Sequence, residues 1–155
     1  MNGCDFYCTP VANNLSNQQV TPYLPTIHTT KNKTYVIAKA DSGASHNYWR
    51  DEDKVILKNI TLVNGPTVTL PNNLTLKSVE EGVIPLSPLL SNQATKASII
   101  PGLTSSSLIS LGQIADDGCT ILLNKKKLFA IKDKDIVMQG TRNLDDGLWD
   151  IPVYK

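Results

Sequence analysis

An all-β fold with one short helix is what this 155-residue chain predicts, and three observations carry that expectation. From Tyr35 onward, short runs of apolar and β-branched residues alternate with Asn, Gly, Pro and Asp turns. Helical signals are confined to Leu111 to Asp117. Beyond that segment, four further short runs joined by polar turns read as a β-meander.

Taken in order, Thr9 to Lys33 is mostly Asn, Thr, Pro, Gln and Ser without a periodicity that would bury a face. Residues 1–33 are therefore expected to be a linker. An edge strand at Tyr23-Leu24-Pro25 and Ile27 is the alternative, weakened by the prolines. Strand-prone runs follow at Tyr35 to Ala38, Val55 to Leu57, Ile60 to Val63, Thr67 to Leu70, Leu74 to Leu76 and Gly82 to Leu86. Asn64-Gly65-Pro66 and Pro71-Asn72-Asn73 break them. Ser110 and Gln113 fit a capping box at the start of the helix, and Gly118 fits a left-handed stop, which limits it to about two turns. The meander runs Cys119 to Leu123, Leu128 to Ile131, Ile136 to Gln139 and Leu148 to Val153. Lys125, Lys126 and Lys127 then belong to a hairpin loop in water rather than to a basic binding patch. The division expected is a core over 34–123 and a C-terminal extension over 124–155.

The formal charge of +1 supplies no field to hold nucleic acid or an anionic membrane. No run reaches the apolar length of a membrane span, and Met1 to Asp5 has no signal-peptide character, so a cytoplasmic setting is expected. The Asn-x-Ser/Thr sequons at Asn14, Asn32, Asn59 and Asn73 are then read as chance in an Asn- and Thr-rich chain. Three cysteines in a reducing compartment predict thiols rather than a disulfide framework. Cys4 and Cys8 have the spacing of half a zinc knuckle, but no second pair follows, so neither a metal nor another cofactor is expected.

The segment richest in chemistry is Asp41-Ser42-Gly43-Ala44, led in by Tyr35-Val36-Ile37-Ala38. A carboxylate, a hydroxyl and a residue without a side chain at a strand end suit the presentation of an acid in a tight loop. The quartet occurs once. Hydrolysis of an amide by an activated water needs one ionised and one protonated partner, so a single carboxylate has to find its counterpart on a second chain. The plain alternative is an ordinary β-turn.

Three segments together resemble the retropepsin-like aspartic proteases of copia-type long-terminal-repeat retrotransposons. They are Asp41-Ser42-Gly43-Ala44-Ser45-His46, then Ile100-Pro101-Gly102-Leu103 with Leu108-Ile109-Ser110-Leu111-Gly112-Gln113-Ile114, and Gly118-Cys119-Thr120-Ile121. The likeness spans about Tyr35 to Leu123. Gly147-Leu148-Trp149-Asp150-Ile151-Pro152 is also similar to the segment between protease and integrase in such polyproteins. The resemblance implies a homodimeric, closed β-barrel subunit with one catalytic Asp41 per chain. It implies support from Ser42, Gly43 and Ala44, and from Leu108, Ile109 and Ser110 packed behind the loop. The substrate implied is an extended polypeptide, its own polyprotein, cut in the cytoplasm or inside virus-like particles. A catalytically inactive dimerisation or peptide-binding module of the same fold is the alternative.

Two residues depart from the usual retropepsin pattern. Ser110 stands where Gly is common, as in copia-type elements, and Lys39 stands where an apolar residue is common; a buried lysine there needs a partner. A flap hairpin is expected within Leu62 to Leu76, with its tip at either Asn64-Gly65-Pro66 or Pro71-Asn72-Asn73. His46 lacks a nucleophile and is read as structural. Tyr48 and Trp49 are read as packing residues, and Cys119 as a buried inert thiol.

Overall fold

The computed structural model describes residues 27–30 and 33–155. Cys4, Cys8, Asn14, Tyr23 to Pro25 and Asn32 lie outside them. The chain is mostly β. Strands β1 (Ile27–Thr30), β2 (Lys33–Asp41) and β3 (Asn47–Arg50) lead into a 3-10 turn over Asp51–Ile56. Strands β4 (Lys58–Leu62), β5 (Thr67–Thr69), β6 (Thr75–Lys77) and β7 (Glu80–Val83) follow. Then come helix α1 (Asn92–Thr95), strands β8 (Lys96–Ile100) and β9 (Leu108–Ser110), and helix α2 (Leu111–Asp116). The chain closes with β10 (Thr120–Leu123), β11 (Lys127–Lys132), β12 (Asp135–Arg142) and β13 (Trp149–Tyr154).

The main sheet runs β10-β11-β12-β13-β2-β9-β3-β8-β7-β4, with β1 also on β2 and β5-β6 as a separate ribbon. The closed barrel expected from the sequence is not formed by these strands. The path is open, because β10 and β4 stand at its two ends with no pairing between them among the described residues. The helix content also exceeds the single helix expected. Ser91 caps α1 by accepting from the Ala94 N–H at 3.2 Å, a start signal obscured by the prolines before it.

Alternation along β2 buries Val36, Ala38 and Ala40. They meet Trp49, Ile99, Ile109, Ile114, Leu128 and Ile151 in one cluster. Burial of this apolar area is the main favourable term in folding. The meander belongs to the same sheet: β13 lies antiparallel on β2, with Ile151 opposite Ala38 and Val153 opposite Val36. Gly140 permits the approach of β12 to β13, because a β-carbon there would collide with Ile151 and lie 2.8 Å from the Asp150 carbonyl oxygen.

Local outcomes differ from expectation in two places. Val55 and Ile56, read as strand, end the 3-10 turn, where three acidic residues open it and the buried Trp49 indole donates to the Asp53 carbonyl at 3.0 Å. Ile27–Thr30, read as the end of a linker, pairs with Lys33–Val36, since the prolines that argued against a strand precede it. Among the described residues no helix is long and apolar enough to cross a membrane.

Gly140→Ala is expected to cost about 1–3 kcal/mol through overpacking against a carbonyl that cannot yield, read as a lower urea midpoint. A second prediction concerns acid. The Lys132 ammonium and Ser91 backbone N–H hydrogen-bonded to Asp117 bring its carboxyl down from 3.8 to about 2. A depressed folded-state value adds stability above the unfolded value, and that contribution disappears as pH falls from 3.8 towards about 2. Urea unfolding across that window should show the gap between wild type and Asp117→Asn narrowing.

Candidate active site

Asp41 closes β2, and the loop after it enters β3. These two strands are not neighbours: β9 lies between them, parallel to β2 with Asp41 opposite Ser110, and antiparallel to β3 with Tyr48 opposite Leu108. The Asp41 loop must therefore bridge two inter-strand spacings, about 9–10 Å, over the end of β9. Within it the Gly43 N–H donates to Asp41 Oδ1 at 2.7 Å, and a β-carbon on Gly43 would sit 3.4 Å from that oxygen. Ser42 is exposed and Ala44 half-buried.

The support beneath the loop is a buried polar knot. Ser110 is fully buried and its hydroxyl donates to the Ala44 carbonyl at 2.6 Å, while accepting from the Gln113 N–H at 3.1 Å as the cap of α2. The other half of the expected capping box is diverted. The Ser110 N–H goes to Asn47 Oδ1 at 2.8 Å, and Gln113 Oε1 accepts from the Asn47 N–H at 3.1 Å. Asn47 Nδ2 donates in turn to the carbonyls of Ala94 and Lys96, at 3.0 and 2.8 Å. One side chain thus ties β3, β9, α1 and β8 together under Asp41. Leu108 is half-buried and Ile109 wholly buried in the core.

A second buried centre lies at the far end of β3. The Ser107 hydroxyl donates to Asp53 Oδ2 at 2.7 Å and accepts from the Arg50 N–H at 3.1 Å. Burial raises the Asp53 carboxyl, opposed by the Ser107 hydrogen bond and the Arg50 charge. This centre holds the turn before β9 and does not reach the Asp41 cleft.

Above Asp41 stands a long hairpin. The β4–β7 ladder continues through Val63 N–H to Val79, Gly65 N–H to Ser78 and Ser78 N–H to Pro66, into β5 and β6. Asn64-Gly65-Pro66 is thus part of the arm, where a β-carbon on Gly65 would lie 2.8 Å from Ser78 Cβ. The tip is Pro71-Asn72-Asn73, with Asn73 at φ 62° and the Leu70 and Leu74 backbones hydrogen-bonded across it. Between tip and loop is a mostly apolar cleft of about 580 Å³. Asp41, Ala44, Tyr48 and Leu108 line it from the loop side, and Val68 and Leu70 from the hairpin.

Lys39 has its partners: the side chain is 13% exposed and ion-pairs with Asp146 and Asp150. Burial works against its charge, but the hydrogen bonds it donates to those two carboxylates outweigh that and hold the ammonium above its usual range. Trp49 is wholly buried, as a packing residue should be. Tyr48 instead reaches the cleft, its hydroxyl 3.0 Å from Ser45 Oγ, which is also 3.0 Å from His46 Nδ1. Cys119 is a buried thiol pushed up by burial. Among the described residues no three His, Cys, Asp or Glu side chains are placed to hold a metal ion. Asn47 and Ser107 were missed from the sequence, because an Asn after a loop and a Ser within Ser105-Ser106-Ser107 carry no signal of burial. No family model, no curated protein and no solved structure matches this chain.

Ser110→Ala removes a helix cap and the donor to Ala44, and should cost about 1–3 kcal/mol in a urea titration. Asn47→Leu, which strands the Ser110 N–H and two carbonyls, should cost more than Ser110→Ala in the same measurement.

Proposed function

We propose that the chain is a retropepsin-like aspartic endopeptidase that works as a homodimer and cuts an extended polypeptide, its own copia-type polyprotein, in the cytoplasm or within virus-like particles. The observation that carries this reading is the position of Asp41, at a strand end on the floor of a cleft roofed by a hairpin. The three sequence segments that resemble copia-type proteases support it. They fall on the Asp41 loop, on β9 with α2, and on β10.

In the proposed dimer the two Asp41 carboxylates face each other at hydrogen-bonding distance and share one proton, because like charges so close do not both ionise. The ionised member takes a proton from a water as that water's oxygen attacks the scissile carbonyl carbon. The protonated member donates to the carbonyl oxygen as it gains charge. The tetrahedral intermediate then breaks its C–N bond, the amine leaving with a proton from the dyad, which returns to its shared-proton state. An extended substrate suits the cleft, since a strand between floor and hairpin sends alternate side chains to opposite walls.

Purified protein should cleave an unfolded polypeptide with a bell-shaped pH dependence on the acid side of neutrality, blocked by pepstatin. Asp41→Asn should lower the rate by about 10²–10⁴-fold at unchanged stability. Cleavage at the wild-type rate by that variant would remove Asp41 from the chemistry.

A further inference from the structure

The hairpin over Asp41 ends in a tip whose hydrogen bonds can be followed one at a time. The Leu70 N–H donates to the Leu74 carbonyl at 2.8 Å, the Asn73 N–H to the Leu70 carbonyl at 2.9 Å, and the Leu74 N–H to Asn72 Oδ1 at 3.0 Å. Pro71 has no N–H to give. Among residues 70–74, every main-chain donor except that of Asn72 is therefore used within the turn or missing.

Asn72 itself is exposed, and it lines the cleft below the tip. Its carboxamide oxygen accepts from the Leu74 N–H, so the other end of the amide is Nδ2, whose two hydrogens have no protein partner among the described residues. The oxygen's bond also holds the side chain in place, and less freedom is lost when the nitrogen donates. Around it on the hairpin wall, Val68, Leu70 and Pro71 offer only apolar side chains, and Thr69 a hydroxyl. A peptide drawn under this roof takes carbonyls out of water, and one left unpaired there weakens binding by about tenfold.

We infer that Asn72 is a substrate-binding residue, with Nδ2 donating to a main-chain carbonyl of the bound polypeptide that faces the hairpin. The inference rests on the endopeptidase reading and assigns the roof of that cleft its donor. The donor is a side chain because the turn has used the backbone N–H groups beside it. A contact to the main chain also carries no preference for any one substrate side chain, which suits a cleft that accepts several sequences.

The test uses two variants that keep an acceptor for the Leu74 N–H and remove the amide nitrogen: Asn72→Asp, and Asn72→Ser, which adds no charge. Unfolded casein cut by wild type, with its sites mapped by mass spectrometry, supplies a peptide substrate. That peptide is then remade with each non-scissile amide in turn converted to an ester, whose carbonyl is a weaker acceptor. Both variants should raise KM about tenfold, with kcat and the urea midpoint near wild type. In wild type, one ester position should raise KM to a similar extent, and in both variants that position should lose its effect. A wild-type KM in both variants, a rise seen only together with a lowered urea midpoint, or an ester effect that persists overturns the inference and leaves the endopeptidase reading standing. Should wild type cleave no polypeptide, that reading fails and pepstatin binding measured by calorimetry decides the inference alone. Binding about tenfold weaker in Asn72→Ser than in wild type supports it, whereas equal affinities, or no binding by wild type, overturn it.

Discussion

The position of Asp41 depends on a buried amide, Asn47. Because β9 is threaded between β2 and β3, the loop joining those strands has no ladder of its own and would be free to wander. Asn47 removes that freedom with both ends of its side chain. Its oxygen takes the Ser110 N–H, and its nitrogen serves two carbonyls from α1 and the start of β8. Asn47 and Ser110 are withdrawn from water, so leaving a buried partner of theirs unmade would cost about 1–3 kcal/mol, and the arrangement has one low-energy geometry. Ser110 passes that geometry upward to the Ala44 carbonyl. A Gly at position 110 would lack this hydroxyl and leave the Ala44 carbonyl without its donor.

Lys39 shows the same logic on the other side of β2. In a run that alternates inward and outward, it sits two residues before Asp41 and on the same face of the strand. An apolar residue there would pack against its surroundings, whereas a lysine requires anions. Asp146 and Asp150 supply them from a segment more than a hundred residues later, brought near because β13 pairs with β2 from Asp150 opposite Lys39 onward. The meander therefore does more than extend the sheet. It neutralises a charge next to Asp41, and with it places Leu148 beside the loop.

Much of this was legible in the sequence, and what was not has a physical reason. The all-β character followed from alternation and turn residues, and α2 with its Ser110 cap and Gly118 stop followed from local rules that act within one turn of helix. The open sheet was not legible, because closure depends on whether two distant edges meet. The hairpin tip was ambiguous for a related reason. Asn64-Gly65 has the stronger turn chemistry, but Gly65 is consumed by close passage over Ser78, and that approach is a tertiary demand rather than a local one. Lys39 raised the need for a partner without naming it, and Asn47 raised nothing, because amides read as surface residues until their partners are known.

Two cavities flank Asp41, and they bear on how a single chain could be built for catalysis by two. A carboxylate serving in a dyad must be open to its twin and to substrate at once, and the two demands compete for the same few ångströms. Here Leu108 lines both cavities, the apolar one roofed by the hairpin and a smaller one on the other flank of Asp41. In the proposed dimer, the rigidity conferred by Asn47 and Lys39 would act before assembly, because a loop already held in each half does not have to be ordered when the halves meet.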